Sequence, residues 1–167
     1  VRRLSAVENL GSTTVICTDK TGTLTRNEMT VTTVYLPYGN REITITGVGY
    51  GPDGEFIESG ETLSTPLKDL NLEKLFMTSS LCNDAQIIAP NEKDSRFQIL
   101  GDPTEGALLT FALKGGLSPD LTRKQFPRIA ELPFSSESKL MATQHQLAGK
   151  NITFIKGAPE VLLDFCK

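Results

Sequence analysis

The uninterrupted apolar runs in this chain are short, and residues 15–17 and 107–109 are typical examples. A helix that crosses a lipid bilayer needs about 20 consecutive, predominantly apolar residues. We therefore expect no membrane span within these 167 residues, and the absence of a charged-then-apolar leader predicts no secretory signal. Short runs separated by Gly, Pro, Asn and Asp instead predict short strands joined by tight turns, with a few helices, in one domain or slightly more.

Charge and cysteine content exclude several classes of function. The formal net charge is −3, from 17 basic and 20 acidic residues, so a nucleic-acid partner is not expected. The three cysteines, Cys17, Cys82 and Cys166, lie far apart and form no CxxC motif. This spacing argues against a disulfide framework or a zinc site and predicts reduced, partly buried thiols in a cytosolic setting. His145 is the single histidine, and we interpret it as a packed or surface residue.

Periodicity and turn signals predict an α/β chain of the α+β type. Strands are predicted at residues 13–18, 29–36, 41–48, 96–100, 129–134, 139–146 and 151–155. Helices are predicted at residues 4–10, 66–81, 102–113, 121–126 and 159–166. Because most successive strands are joined by tight turns, we expect a largely antiparallel sheet of six to seven strands flanked by helices.

The turn after the first predicted strand carries the clearest chemical signal, and it reads Asp19-Lys20-Thr21-Gly22-Thr23. A carboxylate at the carboxyl end of a buried strand lies where α/β folds place their chemistry. Such an aspartate can attack phosphorus and form an acyl-phosphate, and Lys20 adds positive charge beside a phosphate. Taken residue by residue, an ordinary turn without chemistry explains the same residues. The combination of all of them is what favours a phosphoryl-transfer site.

Residues 19–25, Asp-Lys-Thr-Gly-Thr-Leu-Thr, resemble without departure the phosphorylation signature of the P-type ion-transporting ATPases. The flanking residues are similar to the group that includes the calcium, sodium/potassium and proton pumps. The resemblance implies that Asp19 is phosphorylated by ATP, with Lys20 and Thr23 near the phosphoryl group. It also implies that Mg²⁺ is held by the Asp19 carboxylate and the backbone carbonyl of Thr21, which would neutralise charge during transfer.

The same resemblance divides the chain into two parts. Residues 1–29 would be the N-terminal piece of the phosphorylation domain, comprising the first strand of a haloacid-dehalogenase-like fold and the signature loop. Residues 30–167 would be the nucleotide-binding domain, truncated at its C-terminal end.

The first of three nucleotide-site stretches, residues 101–108, resembles a family segment in which Glu105 faces the adenine. Its residues also have a structural interpretation, because Asp102 is suited to be a helix N-cap and Glu105 falls at N3 of the same helix. Glu105 could serve as a cap and still reach a ligand. Asn83 and Asp84 also resemble the family, but a turn that ends a helix explains them without any chemistry.

Two further stretches resemble the nucleotide-binding domain of the family. They are residues 132–141 and residues 154–160. In the first, the resemblance implies that Phe134 stacks on adenine and that Lys139 lies near the nucleotide, and Ser136 stands where the sarcoplasmic-reticulum-type calcium pumps carry arginine. In the second, Lys156 would line the adenine pocket or meet the phosphates, and Gly157 would let the purine approach the backbone. The alternatives are a core position for Phe134 and an exposed strand end for Lys156.

The resemblance therefore implies the cytoplasmic ATP-binding part of a membrane-embedded P-type cation pump that uses ATP and Mg²⁺. Calcium is the first choice of ion, with sodium, potassium, protons and manganese open. Other catalytic motifs of the family are absent from this chain, so we expect a monomeric fragment that binds nucleotide, transports nothing alone, and works with the remainder of the pump. The alternatives are a soluble phosphatase of the haloacid-dehalogenase type, which usually has an aspartate where Thr21 stands, and a non-catalytic nucleotide-binding module.

Overall fold

The computed structural model describes residues 11, 13–15, 17–20, 25, 28–92 and 94–166. This part of the chain forms nine strands in three antiparallel sheets, together with four α-helices. The strands are β1 Thr33–Leu36, β2 Arg41–Ile45, β3 Phe56–Glu58, β4 Glu61–Thr62, β5 Gln86–Ile88, β6 Gln98–Leu100, β7 Arg128–Leu132, β8 Leu140–Leu147 and β9 Lys150–Gly157. The helices are α1 Leu70–Leu81, α2 Pro103–Lys114, α3 Pro119–Gln125 and α4 Pro159–Leu163, and a 3₁₀ turn, Pro66–Lys68, precedes α1. No helix in these described ranges is long and apolar enough to cross a membrane.

The first sheet, β1 to β4, packs against α1 and α2 through an aromatic cluster. Strand β2 buries Ile43 and Ile45 while Thr44 between them faces outward, as the two-residue period of a half-buried strand requires. The rings of Phe56, Phe76 and Phe111 meet beneath this sheet, with centroids 4.8 to 5.8 Å apart. These three elements thus share one hydrophobic core.

The C-terminal end of helix α1 packs against the third sheet, β7 to β9. The Cys82 thiol donates to the backbone oxygen of Met141, and the Thr143 hydroxyl donates to that of Leu81. His145 lies beside them, 2% exposed, between the Phe126 carbonyl and the Thr143 hydroxyl. Of the two positions expected for His145, packed or on the surface, the structure shows the packed one.

The mixed α/β class with antiparallel strands is confirmed, but the strands do not form a single sheet of six or seven. The reason is that α1 lies between the sheets, so that its first half covers the first sheet and its end covers the third. Strands β3, β4 and β5 have only two or three residues each, which is too short for a periodic pattern to reveal them.

The strand predicted at residues 13–18 is not formed by the described residues there. Val15 is 72% exposed, and Cys17 is exposed as well. A strand is stable when a neighbour completes its hydrogen bonds, and the strand pairs of the described ranges do not include the described residues 13–15, 17 and 18. The helix predicted at residues 4–10 lies outside the described residues.

Candidate functional site

A cleft of about 730 Å³ lies among α1, the start of α2, the end of β9 and α4. This volume falls in the range of small-molecule sites. Its walls are mostly apolar, its charged groups lie at the start of α2 and the end of β9, and α1 adds the hydroxyl residues Thr78 and Ser79. The lining residues are Leu75, Thr78, Ser79, Asp102, Thr104, Glu105, Leu108, Phe134, Ile155, Lys156, Gly157 and Leu162.

Asp102 caps the helix that opens onto this cleft. Its Oδ1 accepts from the backbone N–H groups of Thr104 and Glu105, at 2.8 and 3.3 Å, and Pro103 occupies the first helical position. Desolvation raises the pKa of Asp102, but hydrogen bonds from Thr104 and Glu105 outweigh it and hold the pKa below its usual value. The predicted N-cap is therefore confirmed.

Glu105 reaches across the cleft wall to the turn that follows α1. Its Oε2 accepts from the backbone N–H groups of Asp84 and Ala85, at 3.0 and 3.1 Å. Its Oε1 accepts from Nζ of Lys156. Both side chains of this ion pair are largely shielded from solvent, with 17% exposed for Glu105 and 20% for Lys156. Glu105 thus joins α2, the turn after α1 and β9 at one point of the cleft.

Asn83 shapes that turn, although the sequence suggested no specific role for it. Its side-chain nitrogen donates to the backbone oxygens of Ser79 and Glu105, at 3.0 and 2.9 Å, while its Oδ1 accepts from the N–H of Ala85 at 2.9 Å. Asn83 is 1% exposed. Its family-like position was the only signal that could have indicated this role. Arg123, which also contacts the turn, had no such signal.

Phe134 lies at the cleft just beyond the end of β7, and its side chain is not a core residue. It is 60% exposed, which is unusual for a ring of this size. Ile155 and Lys156 of β9 also line the cleft, so the apolar ring, the ammonium group and the Glu105 carboxylate border the same space. The structure thus brings Glu105, Phe134 and Lys156 together.

Of the other two predicted nucleotide-site residues, Gly157 lines the cleft and Lys139 does not. Lys139 is not among the lining residues; its Nζ lies 3.5 Å from the Glu160 carboxylate, and both side chains are more than half exposed. Gly157 does line the cleft, but its backbone also packs tightly against β8. A Cβ atom there would lie 2.6 Å from the backbone oxygen of Lys139. Strand packing alone therefore requires glycine at this position.

Asp19 and Lys20 are exposed, and neither lines the cleft. Thr21 and Thr23 lie outside the described residues, so the predicted phosphorylation loop is only partly described. Within the described ranges, no group of three or more His, Cys, Asp or Glu side chains is placed to hold a metal ion. Of the two predicted Mg²⁺ ligands, the Asp19 carboxylate lies within the described residues and the Thr21 carbonyl lies outside them.

Comparisons with known proteins agree with the motifs. The family model for the cytoplasmic domain N of P-type ATPases matches residues 71–167. The chain is 43% identical over 166 residues to a probable cation-transporting ATPase F of Mycobacterium tuberculosis, covering 99% of this chain and 18% of that protein. It is 40% identical to a calcium-transporting ATPase of Bacillus subtilis, covering 98% of the chain and 18% of that protein.

A calcium-transporting ATPase type 2C member 1 of Bos taurus is 42% identical over 170 residues, covering 99% of this chain and 17% of that protein. The chain thus spans less than a fifth of the length of these relatives. The family model covers more than half of the chain, and the relatives align with nearly all of it. The chain belongs to the cation-transporting P-type ATPases.

Proposed function

We propose that this chain is the ATP-binding part of a P-type ATPase that pumps cations across a membrane through a phospho-aspartate at Asp19. The observation that carries the nucleotide proposal is the cleft, in which an exposed aromatic ring and a shielded ammonium–carboxylate pair line the same space. Aromatic faces stack on bases, and a few polar groups in an apolar cleft give orientation. The segment would lie on the cytoplasmic side, where ATP is available.

The purine would lie against Phe134, with its edge toward Glu105 and Lys156. An ionised carboxylate offers about four acceptor sites, and three donors already occupy Glu105. An ammonium has three N–H donors, and Lys156 directs one of them to Glu105. The pair therefore retains acceptor and donor capacity for a base. Because its two charges offset each other, this pair suits the base better than the phosphates.

Lys139 is better suited to the phosphates. Its ion pair with Glu160 is solvent-exposed, and such pairs contribute little stability. A polyanionic ligand could therefore recruit its ammonium group at small cost. Lys139 precedes β8, whose first residue lies directly beside Gly157 of the cleft wall.

The proposed chemistry belongs to Asp19. A carboxylate oxygen of Asp19 would bond to the γ-phosphorus of ATP, the bond to the bridging oxygen would break, and ADP would leave. Mg²⁺, held by Asp19 and the Thr21 carbonyl, would offset negative charge on the phosphates. Since Asp19 does not line the cleft, the remainder of the pump would have to bring the two together.

Calcium is the proposed ion, with other cations as the alternative. Support comes from the relatives of Bacillus subtilis and Bos taurus, which carry the name of calcium-transporting ATPases. Membership of this family also favours the pump over the soluble phosphatase.

Calorimetry of ATP-analogue binding to this chain tests the nucleotide proposal. Phe134→Ala and Lys156→Ala should each weaken binding, because they remove the stacking surface and the donor at the base. Stacking is worth about 1–3 kcal/mol per base, which corresponds to a loss of about five- to 150-fold in affinity for Phe134→Ala. Asp19→Asn should leave binding unchanged, since Asp19 does not line the cleft.

Two matched variants control for surface changes. Phe165→Ala removes a ring that is 67% exposed and does not line the cleft. Lys150→Ala removes a lysine from the opposite end of β9. Both should bind as the wild type does. If Asp19→Asn alone abolished binding, or if the controls weakened it as much as Phe134→Ala, the site assignment would be wrong.

A further inference from the structure

We infer that Arg123 is a positioning residue for the nucleotide site, acting through the turn after α1 to hold Glu105 in place; this inference rests on the proposed function. Arg123 belongs to α3 and is not among the residues that line the cleft. No side-chain atom of Arg123 is therefore in a position to contact a bound nucleotide. Its influence on the site must pass through residues that it holds.

The guanidinium group of Arg123 makes three hydrogen bonds, and all three go to backbone oxygens. Nε donates to Ser80 at 2.8 Å, Nη2 to Asn83 at 2.9 Å, and Nη1 to Ala85 at 2.8 Å. The three acceptor residues are at most 1% exposed. Carbonyls at the end of a helix lack partners within the helix, so buried ones need donors from elsewhere. Arg123 supplies these donors for the end of α1 and the turn beyond it.

The other side of this turn holds Glu105. Backbone N–H groups of Asp84 and Ala85 converge on Oε2, and the Asn83 side chain donates to the backbone oxygen of Glu105. The turn thus fixes both the carboxylate and the main chain of Glu105. With Oε2 held in this way, Oε1 remains directed to Lys156 in the cleft.

The geometry of arginine is what this role requires. Its planar, rigid fork can donate in several fixed directions at once, whereas a lysine ammonium is a compact charge on a flexible stem. Burial lowers the pKa of Arg123, which is consistent with a desolvated guanidinium held by neutral carbonyls. A lysine here could satisfy part of the carbonyl set but could not span Ser80, Asn83 and Ala85 together.

The test compares the wild-type chain with R123K and R41K. Arg41 is a matched control, because it also bridges several oxygens, namely those of Glu58 and Asp69, and none of these residues lines the cleft. R123K should weaken ATP-analogue binding about three- to ten-fold, the scale typical of residues that act through others. R41K should lower the unfolding temperature without changing affinity.

A second readout follows the turn without nucleotide. In ¹H–¹⁵N NMR spectra, the amide signals of Asp84 and Ala85 report the charge-assisted bonds to Glu105. R123K should shift the Ala85 signal, and R41K should not. The Asp84 N–H shares its peptide group with the Asn83 oxygen that binds Arg123, so its signal moves even without a change at Glu105. If R123K unfolds at the measuring temperature, the spectra and affinities of the wild type, R123K and R41K are all taken at a lower temperature.

A double-mutant cycle with E105Q decides whether the effect passes through Glu105. In the E105Q background, R123K should lose most of its effect on affinity. The inference is overturned if R123K binds as the wild type does, or if its effect is equally large without the Glu105 carboxylate. If the wild-type chain binds no ATP analogue while R123K still shifts the Ala85 amide signal, the proposed function fails, although Arg123 still orders the turn that holds Glu105.

Discussion

Asp102 offers a direct test of whether a residue in the cleft wall serves the helix or the ligand. Its carboxylate accepts two backbone N–H groups at the start of α2, and it also lines the cleft. Asp102→Ala removes the acceptor and the charge, whereas Asp102→Asn keeps the acceptor and removes the charge. If capping is the whole role of Asp102, Asp102→Ala should lower the stability of the fold more than Asp102→Asn does. Neither variant should then change the affinity for nucleotide.

The expected magnitude follows from the two bonds and the exposed setting. Loss of an N-cap side chain costs about 1 kcal/mol. Loss of the charge alone removes the interaction with the helix dipole, which is about 0.3 kcal/mol at an exposed site such as this one. In a domain of this size, 1 kcal/mol corresponds to about 2–4 °C in the unfolding midpoint. Asp102→Ala should therefore lower the midpoint measurably, and Asp102→Asn only slightly.

The pH dependence has a definite sign. Because hydrogen bonding holds the pKa of Asp102 below its usual value in the folded state, the charge stabilises the fold at pH values above that usual value. This contribution is lost as the pH falls through the lower folded-state pKa. The difference in stability between the wild type and Asp102→Asn should therefore be present at pH 7 and shrink in strongly acidic buffer.

Urea unfolding at both pH values, with calorimetry of the ATP analogue at pH 7, measures these effects. Ser118→Ala is a matched control, because Ser118 caps the short helix α3 through a longer bond of 3.4 Å and should cost less. Equal losses for Asp102→Ala and Asp102→Asn would refute the capping argument. A loss of affinity in Asp102→Asn with unchanged stability would show a ligand role instead.

Two further outcomes are expected. Gly157→Ala should destabilise the fold by about 1–3 kcal/mol in urea unfolding, because the new Cβ would lie 2.6 Å from the Lys139 backbone oxygen; unchanged stability would contradict the tight packing of β8 and β9. In thiol labelling of the folded chain, Cys17 and Cys166 should react, whereas Cys82 should react only after unfolding, because it is buried and desolvation raises its pKa. Rapid labelling of all three thiols in the native chain would disprove this.

Local signals in the sequence predicted a large part of the fold. The helix that begins after Asp102 was predictable because its cap, its first-turn proline and its apolar positions are all neighbours in sequence. The same holds for β8, which alternates between buried and more exposed residues over most of its length. For β9 the sequence predicts only residues 151–155, and the structure extends that strand to Lys150–Gly157. The division into three sheets was not predictable, because it depends on where α1 packs, and no local pattern records that.

The candidate site divides in the same way. The stretches around Glu105, Phe134 and Lys156 were identified from motifs, but their mutual contacts were not. The ion pair between Glu105 and Lys156 joins residues 51 positions apart, and the hydrogen bonds of Arg123 to Asn83 span 40 positions. Such contacts arise from tertiary packing. From the sequence, Arg123 is only an arginine on a short predicted helix, and its role at the turn cannot be predicted.

Arg41 and Arg123 hold opposite ends of α1, and they differ in a way that separates the stability of the chain from the geometry of its site. Arg41 pairs with Asp69, the N-cap of α1. Burial raises the pKa of Asp69, but the Arg41 guanidinium and the helix N–H groups outweigh it, and the pKa is lowered. This anchor therefore holds above the usual aspartate range and weakens as the pH falls through the lower folded-state value. Arg123, at the opposite end of α1, bonds only to backbone oxygens, which do not titrate. Acid should thus loosen the end of α1 beside the first sheet, whereas the three bonds between Arg123 and the turn have no titrating acceptor.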